Sequence, residues 1–189
     1  MKEKVLITGA NGQLAQKLGK LLNNNLYDIY YLSTNPKLKS EKIFYWNLEQ
    51  QYIDMNALVN VLHIIHLAGF SISNSWTSKN KKIMFDSRVE TSKLLYQKCE
   101  ENKIKPKTFI SASAIGYYGL DKQGQKNEND LPANEWLSNL CVQWEKSADQ
   151  FNNLGSRVVK LRLSVILNKN EGVLEKILFG YKFKIGFVF

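Results

Sequence analysis

The stretch from Lys4 to Ala15, KVLITGANGQLA, constrains the chain more than any other. Val5, Leu6 and Ile7 form a short apolar run with β-branched residues, and Thr8 and Gly9 end it. That is the pattern of a strand buried on both faces. Gly9, Ala10, Asn11 and Gly12 make a turn, and a helical pattern follows with Leu14, Ala15, Leu18, Leu21 and Leu22 on one face. Strand, glycine turn and helix together make a binding place for a pyrophosphate. Gly9 permits the tight turn, and Gly12 lets the backbone come close to the phosphates. The free N–H groups where the turn enters the helix, through Asn11, Gln13 and Leu14, point at the anion. The third small residue is Ala15, which still allows close helix–strand packing.

The rest of the chain repeats the alternation of strand and helix. Ile29–Leu32 is a second strand, ending in Ser33, Thr34 and Asn35. A carboxylate at that point would hold the ribose 2′-hydroxyl of NAD. None is present, and Lys37 and Lys39 follow, which favours the 2′-phosphate of NADP; otherwise they are solvated loop lysines. Residues 43–48 read as a third strand, with Asn47 and Leu48 at its end placed to meet an adenine edge. Asp54 is placed to cap a short helix, residues 55–60. Residues 62–67, LHIIHL, form a fourth buried strand. Leu67, Ala68 and Gly69 close it with small residues that leave room for a cofactor against the backbone. His63 and His66 lack metal-ligand spacing and read as core or edge histidines, so no metal site is expected.

A long helix is predicted over residues 79–102, with Cys99 as a small core residue. A fifth strand follows at 108–111, and SASAIGYYG, residues 111–119, forms a polar turn at its carboxyl end that includes Ser111 and Ser113. Beyond a charged loop, 119–132, a helix runs from 134 to about 153 and is closed by Gly155. The sixth strand is RVVKLRLSVIL, residues 157–167. The expected architecture is α/β, a Rossmann-type doubly wound parallel sheet of order 3-2-1-4-5-6 with helices on both faces. The carboxyl ends of strands 1 and 4 then meet at the switch point, beside Gly9–Gly12 and Ala68-Gly69.

Composition narrows the partners. The net charge is +9, but of 26 basic residues only Arg88, Arg157 and Arg162 are arginine, and the lysines are scattered. No groove-reading motif appears, so nucleic acid is not an expected partner. A basic balance still suits an anionic ligand such as a phosphorylated cofactor. Two cysteines make no disulfide framework and point to a reducing, cytoplasmic location. No signal peptide or membrane-spanning run is legible, so neither secretion nor a membrane partner is expected.

TGANGQLA, HLAG with Trp76 soon after, Ser87-Arg88, GYYG, Leu140-Cys141-x-x-Trp144-Glu145 and LRLSVIL together carry a resemblance. The chain resembles the extended short-chain dehydrogenase/reductases, the NAD(P)-dependent epimerase/dehydratase group. It is most similar to the branch labelled nucleoside-diphosphate-sugar epimerases or cell-division-inhibitor-like. The resemblance implies a nicotinamide cofactor, NADP with NAD as the other choice, and a small-molecule carbonyl or sugar-nucleotide substrate.

The same resemblance implies a catalytic Ser, Tyr and Lys, the Lys lowering the phenol's pKa. Ser113 takes the serine position, but Cys141 stands for the Tyr and Glu145 for the Lys. A carboxylate beside a thiol raises its pKa, the opposite of activation. Lys146 is one step round the helix. Tyr117 or Tyr118 could supply a phenol in place of Cys141. Proteins of this group are usually longer, so residues 1–168 are expected to form the dinucleotide-binding domain and 169–189 the start of a truncated substrate lobe. Leu178, Phe179, Phe183, Phe187 and Phe189 would then be left as an exposed apolar surface. A cofactor-binding sensor or scaffold without chemistry, or a non-functional fragment, is the alternative to an enzyme.

Overall fold

The computed structural model describes residues 2–23, 26–119, 124–168 and 172–182. The first strand, β1 (Glu3–Thr8), leads into α1 (Gln13–Leu22), β2 (Tyr27–Ser33), β3 (Ile43–Asn47) and the short β4 (Tyr52–Ile53). Then come β5 (Val61–His66), α2 (Ser78–Phe85), a π-helical turn Asp86–Glu90, α3 (Thr91–Glu101) and β6 (Thr108–Ala114). Last are α4 (Trp136–Asp149), β7 (Arg157–Leu163) and α5 (Gly172–Lys182). The sheet order is β4-β3-β2-β1-β5-β6-β7. Without β4 this is the expected order 3-2-1-4-5-6. The correction is β4 itself, which pairs antiparallel with β3 through Trp46–Ile53 and Asn47–Tyr52 and adds an edge.

Alternation along β1 explains why both sheet faces are covered. Leu6 points into the larger core with Leu32, Trp46, Ile64, Leu95 and Phe109. Val5 and Ile7 point the other way, onto Ala15 and Ile29. Phe109 and Phe151 stack at 3.6 Å in the larger core, and truncating either to Ala would cost about 3–5 kcal/mol. In α1 the buried positions are Ala15 and Gly19. A Cβ on Gly19 would fall 1.8 Å from the Tyr31 hydroxyl, so the helix lies close against β2. Leu21 does not join this face and is 79% exposed, because it lies well round the helix from Ala15 and Gly19.

Other boundaries also move. The predicted helix over 79–102 is interrupted by the π-helical turn. Asp54 caps only a 3-10 turn, Met55–Ala57, and Asn60 turns left-handed at φ 56°. β7 stops at Leu163 because its partner β6 ends at Ala114, opposite it. Gly155 closes the 3-10 extension of α4 at φ +81°. Leu178 and Phe179 are exposed, whereas Phe183, Phe187 and Phe189 lie outside the described residues. Among the described residues, no helix is long and apolar enough to cross a membrane and no group of three or more metal-ligating side chains occurs.

Candidate functional site

The carboxyl ends of β1 and β5 are tied together by Thr8. Its Oγ1 accepts the backbone N–H groups of Leu67 (3.0 Å) and Ala68 (2.9 Å). The hydroxyl proton is then left for His66 Nδ1, 2.9 Å away, so Nε2 of that ring carries the hydrogen and donates to the Arg88 carbonyl at 3.2 Å. Burial pushes the His66 pKa down to about 4, which keeps the ring neutral near pH 7. His66 is thus a structural connector, consistent with its reading as a core histidine.

Directly after Thr8 the chain turns at Gly9, with φ +80°. A Cβ there would sit 3.2 Å from the Ala68 Cα, so the position excludes a side chain on both conformation and space. Gly12 donates its N–H to the Gly9 carbonyl at 2.8 Å and precedes α1 with ordinary extended backbone. No side chain caps α1, and no acidic residue lies in its first turn. The positive end of the helix dipole and its free N–H groups are therefore available to an anion.

A cleft of about 660 Å³ opens at this turn. Gly9, Gly12, Leu14 and Leu67 line it, as do Ser113 and Cys141 from β6 and α4. Its walls are mostly apolar, with Ile72, Trp76, Leu137, Leu140, Trp144 and Leu163 among them. The remaining sequence candidates lie beside it or away from it. Asn11 is exposed in the turn, and Gln13 accepts from Asn168 Nδ2 at 3.2 Å. Ala68 and Gly69 flank the turn, Ala68 against Gly9 and Gly69 against the Arg88 guanidinium. Ser33 is buried, its Oγ accepting the Asn35 N–H at 3.1 Å, while Thr34 and Lys37 are exposed. Lys39 is paired with Asp54 at 3.3 Å.

Asn47 spends its amide locally, accepting from Gln50 N at 3.1 Å and donating to the Tyr45 hydroxyl at 3.0 Å. Leu48 packs on the larger core. Ser111 is fully buried and donates to the Ala112 carbonyl. Tyr117 does not line the cleft; the Arg162 guanidinium covers its ring at 3.5 Å.

Arg162 is the residue that sequence reasoning missed. Its Nε and Nη2 reach the two oxygens of Glu145 at 2.8 and 2.9 Å, and Nη1 reaches the Tyr118 hydroxyl at 2.7 Å. Ser113 donates to the same Glu145 carboxylate at 2.7 Å. Burial alone would raise the Glu145 pKa, but the bonds from Arg162 and Ser113 outweigh it and hold the carboxyl below its usual range. Cys141 is pushed up to about 11, by burial first and by Glu145 second, so it is a thiol near neutrality. The only O–H of Ser113 is committed as a hydrogen bond to Glu145. What its Oγ can offer a ligand is a lone pair. The signal for Arg162 was present: an arginine inside the apolar run LRLSVIL, in register with Ser113 across β6 and β7.

The parallel sheet, its switch point and the glycine turn with an uncapped helix define a Rossmann-type α/β protein. Residues 5–139 match the model of the NAD dependent epimerase/dehydratase family, and the chain belongs to that family. It is 31% identical over 187 residues to an epimerase family protein of Staphylococcus aureus (strain N315), covering 97% of this chain and 62% of that protein. A Staphylococcus saprophyticus epimerase family protein is 33% identical over 184 residues, with 96% and 61% covered. The chain thus spans about three-fifths of the length of these relatives. Similar folds include a nucleoside-diphosphate sugar epimerase from Corynebacterium glutamicum, with TM-score 0.81, 24% identity, and 96% of this chain and 38% of that one covered. The human epimerase family protein solved with NADPH gives TM-score 0.79 and 23% identity over 97% of this chain and 61% of that one. For a UDP-glucuronic acid 4-epimerase from Bacillus cereus solved with NAD, the values are 0.74, 18%, 96% and 64%.

Proposed function

We propose that this chain is the NADP(H)-binding part of an epimerase/dehydratase-family oxidoreductase, with residues 1–168 as the dinucleotide-binding unit and 169–189 opening a substrate lobe. The observation that carries the reading is the glycine turn: Gly9 at φ +80° against Ala68, Gly12 beside it, and an uncapped helix start facing the cleft. Gln13 and Leu14 would hold the pyrophosphate through their backbone N–H groups, with Gly12, whose own N–H is spent on the Gly9 carbonyl, leaving room for the phosphates to approach. Ser33, Thr34 and Lys37 would meet the 2′-phosphate, since no acid stands at the end of β2 to repel it. One structural neighbour is described with NADPH and another with NAD.

When bound, the nicotinamide supplies hydride transfer to or from a carbon of the substrate. The chain's own contribution is Ser113, whose Oγ would accept a hydrogen bond from a substrate hydroxyl while its own O–H stays donated to Glu145, pinned by Arg162. A tyrosine of GYYG or Cys141 would have to handle the proton. Cys141 is poorly suited, with its thiol pushed up to about 11. That same fact favours a second reading, in which the protein binds cofactor without turnover and responds to its occupancy.

Titration calorimetry of NADPH into the protein and its Gly12→Val variant tests the proposal. A valine side chain would stand where the phosphates approach, while Gly12 itself has unstrained extended backbone. Binding that disappears in a folded Gly12→Val protein is expected. Unchanged affinity would sink the proposed site.

A further inference from the structure

Arg88 sits on the π-helical turn Asp86–Glu90 and lines the cleft. Its Nη1 is fully engaged, donating to the Phe70 carbonyl at 2.9 Å and the Met84 carbonyl at 3.1 Å. Nε and Nη2 meet no hydrogen-bond acceptor among the described residues, and no carboxylate there pairs with this cation. Glu145, the buried acid of the same cleft wall, is already claimed at both oxygens by Arg162. Among the described residues, the fully buried polar side-chain atoms without a partner are Ser92 Oγ and Trp144 Nε1, so the free edge of Arg88 is not sealed away. Arg88 is the cation among the described residues that line the cleft.

The structure around Arg88 holds it there. The guanidinium lies over the Trp144 ring at 5.2 Å and beneath Gly69, where a Cβ would fall 2.9 Å from Cζ. Its backbone carbonyl is held by His66 Nε2, at the end of the chain of bonds that starts at Thr8 beside the glycine turn. Thr91 Oγ1 donates to the Ser87 carbonyl at 2.8 Å, a further bond that holds the turn. Such turns interrupt a helix at a cost and recur at functional sites. Here the turn places one cation, with three of its five N–H donors spare, in a largely apolar cleft.

We propose that the Nε/Nη2 edge of Arg88 is an oxyanion-binding element of the cleft, taking a pair of carboxylate or phosphate oxygens of the bound molecule. A planar guanidinium with two parallel donors fits that geometry. The oxyanion has two sources: the cofactor pyrophosphate, or an acidic group on the substrate. The second rests on the cofactor-and-substrate reading above, whereas the binding of an oxyanion as such does not.

Calorimetry with two probes separates the cases. NADPH is titrated into the wild type and Arg88→Met, and benzoate is then titrated with and without saturating NADPH, with neutral benzamide as control. A ten-fold or greater loss of NADPH affinity in Arg88→Met assigns the edge to the cofactor. Intact NADPH binding with a comparable loss for benzoate but not benzamide assigns it to a substrate acid. A wild type that binds no NADPH but binds benzoate through Arg88 refutes the cofactor reading and leaves the oxyanion element standing. If Arg88→Met unfolds, Gly69→Ala serves instead: it keeps the charge and displaces the guanidinium, and should give the same losses. Unchanged NADPH and benzoate affinities in a folded variant would overturn the proposal.

Discussion

Replacing Arg162 with Met should destabilise the protein in a manner that depends on pH. The side chain of Glu145 is 8% exposed and that of Arg162 17%. Removing the guanidinium leaves a buried carboxylate whose remaining partner is the Ser113 hydroxyl. Breaking a buried pair in this way costs about 3–5 kcal/mol, and the lower end applies here because the pair keeps some solvent contact. About 3 kcal/mol is a large share of an ordinary domain's stability and should lower Tm by roughly 6–12 °C in a chain of this size.

The sign of the pH effect follows from Glu145. In the intact protein its folded pKa is lowered, so its contribution is present above the unfolded value and fades as pH falls through the folded one. Without Arg162, burial raises the folded pKa above the unfolded value. The penalty is then full at neutral pH and relieved on acidification. Urea unfolding of both proteins at pH 7 and pH 4.5 measures this. The gap should be about 3 kcal/mol at pH 7 and clearly smaller at pH 4.5, and Glu145→Gln should remove most of the pH dependence. A variant within ~0.5 kcal/mol of wild type at pH 7, the usual surface value, or a gap independent of pH, would refute the reasoning.

Two further outcomes are expected. NADPH should bind about ten-fold or more tightly than NADH, from one charge-assisted contact of roughly 1.5–3 kcal/mol, and Lys37→Ala should remove part of that preference; equal affinities in a competition titration would contradict it. The chain should turn over no sugar nucleotide or carbonyl compound at a useful rate, because Cys141 is a protonated thiol and positioned acid–base catalysis is worth about 10²–10⁴-fold. Nicotinamide absorbance with a broad substrate panel checks this, and sustained turnover lost in Ser113→Ala would overturn it.

Much of the fold was legible because its constraints are local. A strand that must be buried on both faces shows as an apolar run, and a turn that needs a positive φ shows as Gly9. What stayed hidden was set by tertiary pairing. The π turn at Asp86–Glu90 inserts an extra residue into a helical stretch whose periodicity reads through it. β4 is two residues long and exists only because β3 offers it an edge. Leu21 carried the right residue type on the wrong side of α1. At the site, Ser113, Glu145 and Arg162 come from β6, α4 and β7; the sheet register sets Ser113 beside Arg162, and the packing of α4 brings Glu145 to both. His66 is one histidine in an apolar strand, and its link between Thr8 and Arg88 needs three elements in place.

The central claim is that the turn at Gly9–Gly12 is where a dinucleotide's phosphates sit. A crystal structure of the protein soaked with NADPH tests it most directly. The account predicts pyrophosphate oxygens within hydrogen-bond reach of the backbone N–H groups of Gln13 and Leu14, with the nicotinamide end of the molecule running toward Ser113. A cofactor bound elsewhere on the chain, or held with its phosphates away from the start of α1, would contradict it.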